Sequence, residues 1–213
     1  MSTIRRVAGL AAFLLVGDAV IGARAGAADA ADATAASPPG EITFVASNAV
    51  STANGTFHSW RLAELALVPG DLASSHATVV VDVASIDTGI EQRDEHLRTA
   101  DFFEVERWPT ATARIHSLRA NGATAEGHAR HAATFELTIR DVTKSVEGEV
   151  VIERREPLAV SGSLAIDRTQ WGIGTPKTWY NPLSITNEVT IAFRAEVELG
   201  DAGQASDGAQ AGR

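Results

Sequence analysis

Four side chains able to move protons or hold charge stand together as Arg93-Asp94-Glu95-His96. An enzyme would use Asp94 or His96 as a general base. The same residues also suit a structural task, with Arg93 and Asp94 pinning a helix onto its flanking loops. No partner nucleophile or oxyanion motif accompanies them, so the structural task is the preferred reading and no catalytic residue is expected. Asp167-Arg168 reads in the same way, as charges at a strand end. The six histidines include His128 and His131, whose spacing puts two rings on opposite faces of a strand. No HExxH pattern appears, so no metal is expected. Gly172-x-Gly174 lacks the following helix that a dinucleotide site needs, and no cofactor is expected. The chain has no cysteine, which excludes thiol nucleophiles and thiolate metal sites.

The remaining pattern is apolar and alternating. Phe135, Leu137 and Ile139 alternate with Glu136, Thr138 and Arg140, and Val150 and Ile152 alternate with Val151 and Glu153. Leu164 and Ile166, then Ile191 and Phe193, continue the pattern, and Phe44, Phe57, Val79, Val81 and Val83 extend it toward the N-terminus. Successive strand residues face opposite sides, so each strand has one dry face and one wet face. Strands are expected at Ile42 to Ser47, Phe57 to Val68, Thr78 to Val83, Thr110 to Leu118 and Thr124 to His131, followed by the four alternating segments from Phe135 onward. Val68-Pro69-Gly70-Asp71 and Asn121-Gly122 mark turns. About eight antiparallel strands with short turns make an all-β sandwich or closed barrel. Thr88 and Glu91 form a capping-box pair, T-x-x-E, at the start of one short helix over about Gly89 to Ala100, placed to cap a barrel mouth.

The termini differ in composition. Arg5 and Arg6 precede a short apolar run, Val7 to Val16, and small residues follow at Ala23-Arg24-Ala25, the pattern of an export signal over residues 1–25. Residues 26–40 read as a flexible lead-in, 41–199 as the folded domain and 200–213 as a disordered tail. Cleavage after Ala25 removes Arg5, Arg6, Arg24 and Asp18, a net +2, and takes the formal charge from −9 to −11. That acidity argues against nucleic acid as a partner and against electrostatic docking on anionic lipid. A periplasmic or secreted location is expected.

Three phrases in order resemble one family. They are Ser85-Ile86-Asp87-Thr88-Gly89 with Arg93-Asp94-Glu95-His96-Leu97, Asp101-Phe102-Phe103 and Pro109; Leu137-Thr138-Ile139-Arg140-Asp141-Val142-Thr143-Lys144; and Ile166-Asp167-Arg168-Thr169-Gln170-Trp171-Gly172. Over roughly Glu41 to Leu199 the chain resembles the YceI-like family of lipid and polyisoprenoid carriers. The resemblance implies a lipocalin-like eight-stranded barrel with a greasy interior. Asp141 stands where that family usually has Gly, and Asp tolerates a positive φ if the turn requires one. Trp171 replaces a common Phe.

Alternation by itself leaves open whether such a barrel is filled by side chains or holds a ligand. Gly148, Gly162, Ala46 and Ala195 on dry phases favour open space, and the resemblance implies a ligand cavity. Its expected lining is Phe44, Phe57, Val81, Phe102, Phe103, Phe135, Leu137, Ile139, Val150, Ile152, Leu164, Ile166, Trp171, Trp179, Ile191 and Phe193. In the loop 171–182, Trp171, Trp179 and Tyr180 are expected at the lip, with Lys177 near a polar headgroup. The reading is a carrier for a polyisoprenoid-tailed lipid, a quinone or polyprenyl lipid, in transient contact with a membrane protein, and a dimer is one option. Its alternative is a filled barrel acting through its surface on a membrane redox or stress partner.

Overall fold

The computed structural model describes residues 38–48, 50–178, 180 and 184–199. The expected leader, all of the lead-in before Pro38, the tail and Trp179 lie outside these residues. Ten strands form one antiparallel sheet: β1 Gly40–Ser47, β2 Thr52–Phe57, β3 Trp60–Ala66, β4 His76–Asp82, β5 Ile86–Asp87, β6 Thr110–Ala123, β7 Ala129–Ile139, β8 Val142–Arg155, β9 Leu158–Asp167 and β10 Glu188–Val197. Among the described residues one α-helix, α1, spans Glu91–Arg98.

The strand order is β3-β4-β6-β7-β8-β9-β10-β1-β2-β5. β2 and β3 are consecutive in sequence yet lie near opposite ends of this sheet. Only His58 and Ser59 join them, and two residues reach about 7 Å at full extension. The sheet therefore has to curl until its ends meet. The corner is stitched where His58 N–H donates to Ser85 O at 3.3 Å and Asp82 N–H donates to Ser59 O at 2.9 Å. The result is the expected curled, lipocalin-like all-β architecture, with ten strands in place of eight.

Three strand boundaries differ from expectation, each for a local reason. The expected strand Phe57 to Val68 breaks at His58-Ser59, the corner itself. Asn121-Gly122 stays within β6, and the turn falls later, where Gly127 takes φ 88° and donates to Thr124 O. The expected strand Thr124 to His131 is absorbed into β7, one run from Ala129 to Ile139.

On β7 the alternation is strict: His131, Ala133, Phe135, Leu137 and Ile139 are buried and their neighbours are half-buried. The outer faces carry cross-strand ion pairs, among them Arg130 with Glu149, Arg119 with Glu147 at 3.1 Å and Arg154 with Glu196. Exposed pairs of this kind contribute about 0–1 kcal/mol each, so the inward apolar layer holds the sheet together.

The capping box is not formed. The N-cap of α1 is Ile90, which makes no side-chain cap. Asp94 instead reaches back and accepts from the Thr88 amide at 3.0 Å and from its hydroxyl, while Arg93 donates to Thr88 Oγ1 and to Thr88 O at 2.7 and 2.8 Å. Thr88 precedes the helix, in the loop that the helix grips. Thr88→Ala is expected to cost about 1 kcal/mol, through loss of this grip. Asp94→Ala should cost at least as much in a denaturant melt, and the double variant should cost little more than Asp94→Ala alone. Additive losses would show that the two residues act separately.

Candidate functional site

The curled sheet encloses two apolar spaces. The first, about 210 Å³, is lined from β1, β2, β4, β7, β9 and β10 by Phe44, Phe57, Val81, Phe135, Leu137, Ile139, Leu164, Ile166, Ile191 and Phe193. Phe102 and Phe103 from the loop after α1, and Leu97 from α1, close one end together with Ile173 and Ile185. Twelve of the sixteen expected lining residues therefore meet here. The second space, about 450 Å³, takes Val150 and Ile152 and runs toward the other end, under Leu65, Leu67, Val68 and Leu72. Trp60, Val79, Ile115, Phe193 and Ala195 line both. The two chambers abut at this waist.

The aromatic rings pack against one another along the first chamber, tilted for Phe44 with Phe57 and edge to face for the other two pairs. Phe44 and Phe57 lie 5.5 Å apart, Phe57 and Phe103 6.2 Å, and Phe135 and Phe193 5.9 Å, the separations aromatic pairs favour. These rings also correct the expectation that inward glycines leave room. The Phe193 ring lies directly over Gly162, its cross-strand partner, and Phe44 covers Gly55 in the same way. A Cβ on Gly162 would overlap both the ring and the Glu149 carbonyl, and one on Gly148 would come within 2.8 Å of Phe135 and 2.9 Å of Leu164. The glycines make space for phenyl rings, whereas Ala46 and Ala195 do border open space.

Trp171 is a second correction. It is 2% exposed, donates Nε1–H to Leu137 O at 3.3 Å and belongs to the packed core, lining neither chamber. An indole needs a partner for its N–H when buried, and the Leu137 carbonyl lies inside the core. Tyr180 is 71% exposed. The Lys177 backbone N–H donates to Asn187 Oδ1 at 2.7 Å, on the outer loop. Neither Tyr180 nor Lys177 lines a chamber.

Charged residues gather at the capped end, and Arg168 borders the first chamber there. Arg168, 6% exposed, donates to four main-chain carbonyls: Nε to Thr186 at 3.0 Å, Nη2 to Thr175 at 2.8 Å and to Ile185 at 3.1 Å, and Nη1 to Ile173. Burial pushes its guanidinium below its ordinary range, and Asp167 works in the opposite direction. Arg140 ties the β7–β8 hairpin to the same end, donating to Glu104 at 2.7 Å, to Gly172 O at 3.0 Å and to Phe102 O at 3.3 Å. The residue with positive φ in that hairpin is Arg140, at 58°, and not Asp141.

Outside the barrel, His58, Asp87, Asp94 and Arg98 border a polar groove, where His58 Nε2 and Asp87 Oδ2 lie 2.9 Å apart. The hydrogen bond to His58 holds the Asp87 carboxyl below its usual range. His96 lies 3.6 Å from Asp101 in solvent. Among the described residues no three His, Asp or Glu side chains are placed to hold a metal.

Several lining residues were not expected. Trp60 and Ile115 sit on strands in phase with expected neighbours. Leu97, Ile173 and Ile185 come from the helix and loops, where no period of two exists to reveal them. Leu62 and Leu65 both line the second chamber although three residues apart, because a bulge between Leu62 and Glu64 resets the phase.

Residues 34–197 match the YceI-like domain. The chain belongs to the YceI-like family. A UPF0312 protein of Ectopseudomonas mendocina is 34% identical over 139 residues, 63% of this chain and 68% of that protein. A UPF0312 protein of Pseudomonas aeruginosa is 40% identical over 68 residues, 32% of each chain. Among solved structures, Burkholderia cenocepacia BcnA superposes with a TM-score of 0.61 at 24% identity, over 73% of this chain and 94% of that one. A polyisoprenoid binding domain from Saccharophagus degradans, implicated in plant cell wall breakdown, superposes with a TM-score of 0.52 at 14% identity, over 75% and 95%. At these identities the likeness speaks for the fold.

Proposed function

We propose that this YceI-like protein is a binding protein that holds the chain of an isoprenoid lipid inside its curled sheet and acts without catalysis. The observation that carries this reading is the pair of apolar chambers meeting at the Trp60, Ile115 and Phe193 waist. A hydrocarbon chain gains about 0.8 kcal/mol for each CH2 group it buries, so a chain crossing the waist binds firmly with few polar contacts. The description of the Saccharophagus domain as polyisoprenoid binding supports the same chemistry. Open space in both chambers favours this reading over a filled barrel working through its surface.

In its finer form the reading is a periplasmic carrier. The basic start and short apolar run direct export, and the ligand is a quinone or polyprenyl lipid exchanged in transient contact with a membrane protein. One preparation tests both parts. The protein is purified from the envelope fraction of its native host, sequenced from the N-terminus and extracted with organic solvent for mass spectrometry. The expected result is an N-terminus near Gly26 and a stoichiometric long-chain isoprenoid. An intact Met1 in the cytosol ends the export reading, and repeated extracts free of chain lipid end the carrier reading.

A further inference from the structure

The two chambers differ in what they offer a charged group. Three arginines border them, Arg168 and Arg194 at the first and Arg155 at the second. A guanidinium carries five N–H donors. Arg168 spends four of them on main-chain carbonyls of its own loop, and Arg194 turns to Glu153 at 3.5 Å. Arg155 is different. No described residue hydrogen-bonds it or pairs with it.

A bulge brings Arg155 to the chamber. On β8, Val150 and Ile152 line the second chamber, and unbroken alternation would turn Arg154 inward and Arg155 outward. The register with β9 shifts between Ile152 and Arg154, and a bulge re-aims the side chains beyond it. Arg154 pairs with Glu196. Arg155 stands opposite Leu158, which lines the chamber, and residues directly opposite share a face of the sheet.

This end is also the open one. Leu67, Val68 and Leu199 border the second chamber and are exposed, as is Arg155, whereas Phe102, Phe103, Ile173 and Ile185 close the far end of the first. Other polar groups at the mouth are committed. His76 is bonded to Glu64 at 3.1 Å, the Ser75 hydroxyl donates to Asp71 O at 3.2 Å, and the Asp71 carboxylate accepts from Ser74. Glu156 follows Arg155 in the chain and Glu198 follows Val197, the β10 partner of Leu158; both are exposed, and neither bonds Arg155. A chain entering here buries its tail toward the capped end and leaves its head beside an uncommitted guanidinium.

We propose that Arg155 is the headgroup site of the cavity, holding an oxyanion, a phosphate or carboxylate, at the head of a lipid whose chain lies in the chambers. Its planar fork meets two such oxygens at once. This rests on the interior being the lipid site, and the test separates the two claims.

Full-length protein stripped of lipid is titrated with geranylgeranyl phosphate, geranylgeraniol and inorganic phosphate. The expected result is that the phosphate lipid binds about tenfold tighter than the alcohol. Arg155→Met should abolish that preference and leave alcohol affinity unchanged, while Arg154→Met keeps it. The Arg155 Nε resonance of wild-type protein should move with the phosphate lipid and not with the alcohol, a readout that stands if Arg155→Met fails to fold. Equal affinity for the two lipids, or an unmoved Nε resonance, overturns the headgroup site and leaves the carrier reading intact. A preference that survives Arg155→Met places the head elsewhere, and one lost equally in Arg154→Met traces it to overall charge; either result overturns the assignment to Arg155. Inorganic phosphate competing as well as the phosphate lipid would make this a free-anion site and overturn the lipid headgroup. Failure of both lipids to bind removes the carrier reading, and the headgroup site with it.

Discussion

Arg168→Ala is expected to cost about 3–5 kcal/mol of stability, the largest loss from any single substitution of a polar residue in this chain. The guanidinium spans the whole loop between the 3-10 turn Arg168–Trp171 and β10, binding carbonyls of Ile173 and Thr175 at its start and of Ile185 and Thr186 at its end. Truncation strands four carbonyls, and the apolar setting offers them no new donor. Ile173 and Ile185 close the first chamber, so the capped end should loosen as well. Arg168→Lys should recover less than half the loss, because one ammonium cannot present the planar fork that reaches both ends of the loop. In urea the alanine variant should shift the midpoint down by about 1–2 M with little change in slope. A shift below about 0.3 M would show that the loop is held by other contacts.

The role of Arg168 marks where the sequence stops being readable. Asp167-Arg168 stood out as charges at a strand end, and nothing in the local pattern pointed to carbonyls up to eighteen residues away. The dry faces of β8, β9 and β10 were legible because strand period and burial coincide over whole strands. Between residues 110 and 131 the pattern misled. Ser117 takes φ 56° and the β6–β7 register slips between His116 and Arg119, so alternation across that stretch changes phase. His131 was therefore read with His128 in a separate strand. The unbroken series His131, Ala133, Phe135, Leu137, Ile139 was the signal that would have placed it inside. Trp171 was read as a lip residue because its loop is glycine-rich, yet its N–H has a partner only within the core. Gly148 and Gly162 were read as open space. Composition cannot tell a glycine facing a void from one covered by a phenyl ring, since that depends on the cross-strand register with Phe193.

That distinction selects the substitution that tests the interior. Gly162→Leu would strike the Glu149 backbone and damage the fold, so loss of lipid there would carry no meaning. Ala195 borders both chambers on the inner phase of β10. Ala195→Phe puts a ring into the waist, where free space takes up part of the usual overpacking cost of about 1–3 kcal/mol. Its neighbour Ala192 lies on the opposite phase, paired with Thr43 and Ser163, and Ala192→Phe places the same ring outside. A chain barred from crossing the waist loses the methylenes it buried in one chamber. Four or more of these amount to about 3 kcal/mol, so affinity for a long isoprenoid should fall by at least about a hundredfold in Ala195→Phe and stay unchanged in Ala192→Phe. A short isoprenoid that fits one chamber should keep most of its affinity in both variants, since only passage between chambers is blocked. Full loading of Ala195→Phe with the long chain, in protein that melts cooperatively, would move the lipid site out of the interior. Equal losses in the two variants would trace the effect to the stability of β10 and not to the space beside it.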